Sequence, residues 1–114
     1  MSKDFVEIQA EVMSGMGALG AESPEVMNAF MGLHGAATAD GALPKRIKEL
    51  MALAIAITVR CDGCIAFHVK EAVDAGASRD EIIETIGVAI VMGGGPSVVY
   101  GSEARDALDQ FTAG

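Results

Sequence analysis

The chain has no tryptophan, and four phenylalanines and one tyrosine are its whole aromatic complement in 114 residues. That scarcity counts against a β-sandwich or barrel, whose strands draw on aromatic and β-branched residues. The abundant Ala, Ile, Val and Met suit closely packed helices better than a β-sandwich. Bases are also short: eight Lys and Arg stand against sixteen acids, for a net charge of −8. The densest basic cluster is Lys45, Arg46 and Lys48, and a field of this sign disfavours nucleic acid and anionic lipid as partners. Long apolar runs are missing as well. The longest, LMALAIAITV, has ten residues, about half of the ~20 that a membrane span requires. The first residues, MSKDFVEIQAE, carry charges where a signal peptide needs an apolar core. The expectation is a soluble, cytoplasmic protein with no membrane or nucleic-acid partner.

What is present in excess is apolar side chain, 51% of the residues. A chain of this length is expected to form one domain, residues 1–114, burying somewhat over ~60% of its unfolded surface. Apolar residues beyond the capacity of one small core go to subunit interfaces, so a homo-oligomer is expected. The punctuation predicts helices. Phe5, Ile8, Val12 and Met16 recur at helical spacing over residues 4–18. Ser23-Pro24-Glu25 is a helix start, and ADGAL ends that helix after Thr38. A third helix runs from Pro44 to about Val59, apolar on all sides over residues 50–57, as in a helix buried on most sides. A fourth opens near Cys61 and stops at Gly76. Ser78 to Glu81 is a capping box for a fifth, and GGGP at 93–96 separates it from a sixth. No segment alternates with period two. The fold class is all-α, with about six helices.

Both cysteines and one of the two histidines fall in CDGCIAFH, residues 61–68. Cys64 and His68 are four apart and Cys61 precedes Cys64 by three, so the three side chains share one side of the helix start. A helix N-terminus favours a thiolate. Its contribution of ~0.3–1 kcal/mol is too small to ionise a thiol that is only about 3% thiolate at pH 7. A base is needed, and His68 is in reach of Cys64. This spacing makes Cys64 the candidate nucleophile and Cys61 the resolving partner. A carboxylate is the usual third member of such a chain. Glu49 is the candidate, since Ala52, Leu53 and Ala56 share its face and an acid on an apolar stripe is costly unless paired or functional.

Glu49, then Cys61-x-x-Cys64-x-x-x-His68, resembles the signature of the AhpD-like alkylhydroperoxidases of the carboxymuconolactone decarboxylase superfamily, and the resemblance extends over residues 25–108. It implies a helical subunit in a trimer or hexamer and a thiol-dependent peroxidase or disulfide reductase activity. It also implies no cofactor beyond a redox-active Cys61–Cys64 disulfide, recharged by a dithiol, thioredoxin or lipoyl-type donor. In the scheme it implies, Glu49 and His68 relay the proton of Cys64, Cys64 attacks the peroxide, and Cys61 condenses with the resulting sulfenic acid. The best-known branch has a further histidine just before the second cysteine. Here that residue is Gly63, preceded by Asp62, whose charge opposes a thiolate.

Other uses of the same residues are a decarboxylase or lactone-acting enzyme with His68 and Glu49 as acid and base, and a zinc-binding structural oligomer. Cys61, Cys64 and His68 supply three zinc ligands, but a fourth is not evident, His34 being distant in sequence. Glu49 has Arg46 and Arg60 as alternative ion-pair partners. His34 is expected to cap the second helix, Tyr100 to pack, and the methionines to fill the core.

Overall fold

The computed structural model describes residues 3–113, which form six helices: α1 Phe5–Glu22, α2 Pro24–Thr38, α3 Lys45–Thr58, α4 Asp62–Asp74, α5 Arg79–Gly93 and α6 Gly95–Thr112. Among the described residues there is no strand. The starts follow from local chemistry. Asp4 caps α1 by accepting the Glu7 N–H, and Ser23 both ends α1 and precedes Pro24 at the first position of α2. At α5 the Ser78 hydroxyl accepts the Glu81 N–H while the Glu81 carboxylate accepts the Ser78 N–H, a complete capping box. The turn between α5 and α6 is shorter than the glycine run suggests, since only Gly94 lies outside both helices.

Glu81 is also paired with Arg46 of α3. The Ser78 N–H bond and the Arg46 guanidinium hold its carboxyl below the ordinary glutamate range. A carboxyl depressed in the folded state contributes stability above its unfolded pKa and loses it as pH falls through the folded one. Glu81→Gln should therefore flatten the fall in stability below about pH 4.3, the ordinary glutamate value, while leaving a measurable loss at pH 7. Urea unfolding at a series of pH values measures both.

The core is built by α3, α4, α5 and α6. Leu53, Ala56 and Ile57 meet Ile65, Val69 and Ala72, with Ile82 and Ile86 of α5 and Ala104, Ala107 and Leu108 of α6 closing it. Phe5 of α1 is fully buried in the same cluster. α2 contributes no buried residue. The third helix differs from the expectation of burial on most sides: Leu50, Leu53, Ala56 and Ile57 point inward, but Ile55 and Val59 are each more than 60% exposed. A core shared among these helices uses only one face of α3, and the apolar residues on the other face lie bare in the single chain. The methionines are likewise not core filler. No described methionine is buried; Met51 and Met92 are exposed, and Met16 and Met31 line a cavity. The small core is filled by Ala, Ile, Leu and Val, which leaves the longer thioethers at its margins.

Two helix ends close in the same way and position the site. After α4, Gly76 has φ +93°; its N–H bonds the Val73 carbonyl, and the Ala77 N–H bonds that of Ala72. After α3, the Arg60 N–H bonds the Ile57 carbonyl and the Cys61 N–H bonds that of Ala56, with Arg60 at φ +60°. Both are Schellman closures, but the second places a side chain in the left-handed region. That conformation costs an L-residue ~1–2 kcal/mol, against ~0.5–1 kcal/mol for the extra chain freedom of glycine. Arg60→Gly is therefore expected to raise stability by about 0.5–1 kcal/mol in urea unfolding.

Candidate active site

The closure at Arg60 delivers Cys61 directly to the N-cap of α4, in extended backbone, where its sulfur accepts the Cys64 N–H at 3.2 Å. Cys64 follows one turn on, and the two are joined as a disulfide with Cα atoms 5.2 Å apart. His68 lies a further turn along the same helix. Its Nδ1 is 2.8 Å from Oε1 of Glu49, which is fully buried on α3. With Nδ1–H donating to a carboxylate, Nε2 is the ring nitrogen left to accept a proton.

Glu49 pairs with neither Arg46 nor Arg60. Its second oxygen accepts from Lys45 Nζ at 3.1 Å, and Arg46 is turned to Glu81. In the sequence Ala52, Leu53 and Ala56 set Glu49 on an apolar face, and only the i, i+4 spacing of Lys45 and Glu49 signals this pair. A buried carboxylate with each oxygen held by a different cation-capable group satisfies the requirement that a buried charge be paired and hydrogen-bonded.

Asp62, in the first turn of α4, pairs with Lys3 at 2.9 Å, and Lys3 also reaches Glu103 of α6 at 2.8 Å. The Glu103 bond and then the Asp62 bond hold the Lys3 ammonium above the ordinary lysine range. Lys3 thus offsets the charge that Asp62 sets beside the cysteines. Gly63 has a steric cause: a Cβ there would stand 2.9 Å from Cγ2 of Val12. α1 therefore crosses the first turn of α4 where the best-known branch carries its extra histidine, and a side chain there requires Val12 to move.

Above the disulfide lies a cavity of about 290 Å³. Val12 and Met16 of α1, Phe30 and Met31 of α2 and Phe67 of α4 give it apolar walls, and Cys61, Cys64 and His68 open into it. A second depression of about 220 Å³ touches Cys64 and His68 but not Cys61. His34 departs from expectation. It lies inside α2, four residues before the helix ends, where its carbonyl accepts the Thr38 hydroxyl, and its side chain lines the main cavity rather than capping the helix. Its ring meets Phe67 edge-on at 5.6 Å and stands 6.4 Å from that of His68. Nothing in the sequence pairs residues 34 and 68; the packing of α2 across the mouth does. Tyr100 packs against the core as expected, with the Lys3 ammonium 5.6 Å from its ring centre.

The sequence profile of the carboxymuconolactone decarboxylase family matches residues 24–107, and the chain belongs to that family. It is 40% identical over 113 residues to an uncharacterized protein of Cupriavidus necator, covering 99% of this chain and all of the relative. A Legionella pneumophila protein of the same family, solved in its apo form, superposes with a TM-score of 0.92 at 44% identity, covering 95% of this chain and 96% of its own. A Thermotoga maritima family member with a suggested involvement in antioxidative response superposes with a TM-score of 0.78 at 31% identity, covering 95% of this chain and 89% of its own.

Proposed function

We propose that the protein is a thiol-dependent peroxidase or disulfide oxidoreductase. The observation that carries this reading is the Cys61–Cys64 disulfide at a helix start, opening into the cavity that His68 also lines, with His68 backed by buried Glu49. The antioxidative link suggested for the Thermotoga relative points the same way. In the reduced protein, Nε2 of His68 takes the Cys64 proton while Glu49 holds Nδ1–H. The Cys64 thiolate attacks the distal peroxide oxygen, an S–O bond forms, the O–O bond breaks, and the alcohol leaves with a proton. Cys61 attacks the resulting sulfenic sulfur and expels water. An external dithiol then returns two electrons and two protons. Cys64 is assigned the attack because it shares both depressions with His68, whereas the Cys61 sulfur is held at the N-cap by the Cys64 N–H.

The redox group in this reading is the disulfide alone, and the donor is a dithiol, thioredoxin or lipoyl-type protein. The subunit assembles with copies of itself as a trimer or hexamer. Exposed Met51 and Ile55 on α3, Val59 just after it, and Val91 and Met92 on α5 support that assembly, because patches of this kind are covered in stable proteins. No described helix is long and apolar enough to cross a membrane, and cytoplasmic residence is part of the proposal. The test is mass spectrometry of the alkylated protein before and after stoichiometric peroxide. A loss of two hydrogens on the 61–68 peptide is expected. Two free thiols after peroxide, or an activity that survives replacement of both cysteines, would point to the acid–base chemistry of a decarboxylase instead.

A further inference from the structure

We infer that the reduced site binds one zinc ion through Cys61, Cys64, His68 and His34. The inference shares its residues with the proposed redox chemistry and requires of it only that the disulfide be reducible.

Three ligands on a single helix close a tetrahedron poorly. The fold removes that difficulty by bringing His34 from α2 into the cavity that holds the other three side chains. The set is then two thiolates and two imidazoles, a combination that tetrahedral zinc favours. Two further features fit the ion. Nδ1 of His68 is held by Glu49 at 2.8 Å, the carboxylate–histidine pairing that fixes the tautomer and orientation of a zinc-ligating imidazole, and it leaves Nε2 for the metal. The charges also balance: Zn²⁺ with two thiolates and two neutral imidazoles is neutral, as an apolar chamber walled by Val12, Met16 and Phe30 requires.

In the disulfide form no three metal-ligating side chains among the described residues stand together to hold an ion, as expected while the two sulfurs are bonded to each other. The imidazole centres, 6.4 Å apart here, come to about 5 Å when both rings bind one zinc through bonds of ~2.0–2.1 Å. Zinc binding therefore requires the half-buried His34 ring to move toward that of His68, and the helix that carries it, α2, has no buried residue to hold it in place.

The two states exchange with balanced chemistry. An external dithiol breaks the Cys61–Cys64 bond, closes its own disulfide and leaves two thiols; zinc binding releases their two protons. Peroxide takes two electrons from the sulfurs and two protons from solvent, leaves as an alcohol and water, and the disulfide that forms expels the ion. Zinc thereby marks the reduced state and withholds both thiolates until an oxidant arrives.

The test uses the full chain, reduced with a phosphine, stripped with a chelator and titrated anaerobically with Zn²⁺ by calorimetry and with Co²⁺ by absorption. One ion per chain is expected, with intense tetrahedral cobalt bands and a sulfur-to-cobalt charge-transfer band, and none in the oxidised protein. His34→Ala should weaken zinc binding at least ~10-fold, and Glu49→Gln ~10–100-fold. X-ray absorption on the wild-type zinc form counts two sulfur and two nitrogen neighbours independently of any variant. A reduced protein that takes up no zinc, a His34→Ala protein that binds as tightly as wild type, or a zinc shell with fewer than two imidazoles overturns the site. Peroxide oxidation of the metal-free protein reads the redox proposal separately, so either can fail alone.

Discussion

Cys64→Ser is expected to lower dithiol-dependent peroxide turnover by ~10³-fold or more, because a serine hydroxyl beside one histidine does not replace a thiolate nucleophile. Cys61→Ser should behave differently. Its Cys64 still attacks, but the sulfenic acid has no neighbouring thiol to condense with, so one equivalent of peroxide is consumed and the intermediate persists long enough for a dimedone-type reagent to trap it. The asymmetry is the informative part. Cys61 is the N-cap of α4, and its sulfur accepts the Cys64 N–H at 3.2 Å. Serine is a better N-cap acceptor than cysteine, so Cys61→Ser should fold at least as stably as the reduced wild-type protein, which likewise lacks the cross-link, and its loss of turnover cannot be put down to unfolding. Were Cys61 the attacking sulfur, the trapped adduct would appear in Cys64→Ser instead. Adduct mapping by mass spectrometry on the two variants decides the roles.

The parts of this protein that were legible in its sequence are those written within one or two helical turns. Helix starts at Ser23-Pro24 and Ser78–Glu81, and the stop at Gly76, rest on side chains bonding their own backbone or on glycine's left-handed tolerance, and the structure shows them there. The trio Cys61, Cys64 and His68 is likewise a matter of i, i+3 and i+4 spacing. Glu49 was found because an acid on an apolar stripe has few explanations. What escaped was long-range or compensating. Arg60 adopts a left-handed turn with no glycine to announce it. Gly63 is explained only by Val12 of a different helix. His34 joins the site because α2 crosses the cavity mouth, an arrangement that no periodicity encodes. The burial on most sides expected of the third helix failed for a related reason: an apolar pattern shows that a face seeks cover, not whether the same chain or another copy supplies it.

Glu49→Gln should combine a large loss of activity with a modest loss of stability, and the reason lies in the two bonds that the carboxylate makes. Oε1 faces Nδ1 of His68 at 2.8 Å and Oε2 faces Lys45 Nζ at 3.1 Å. Both neighbours donate, and a carboxylate accepts on both sides, whereas an amide has one accepting oxygen and one donating nitrogen. If the amide turns its oxygen to His68, its NH₂ opposes the Lys45 ammonium. If it turns the oxygen to Lys45, its NH₂ forces Nδ1 to accept, the ring proton moves to Nε2, and His68 can no longer take a proton from Cys64. The second orientation preserves the stronger, charge-assisted bond and is therefore the one expected to dominate. A misplaced base costs a step of this kind ~10²–10⁴-fold, while one lost or frustrated hydrogen bond at a fully buried residue costs ~1–3 kcal/mol. Lys45→Met in the same background removes the competitor for the amide oxygen. In the double variant that oxygen should again accept from His68 and recover part of the lost rate, although Lys45→Met alone lowers it by leaving the buried carboxylate without its cation. That sign reversal, read from single-turnover disulfide formation in a double-mutant cycle, is not expected of a Glu49 that serves only to brace α3 against α4, for which the two substitutions would add.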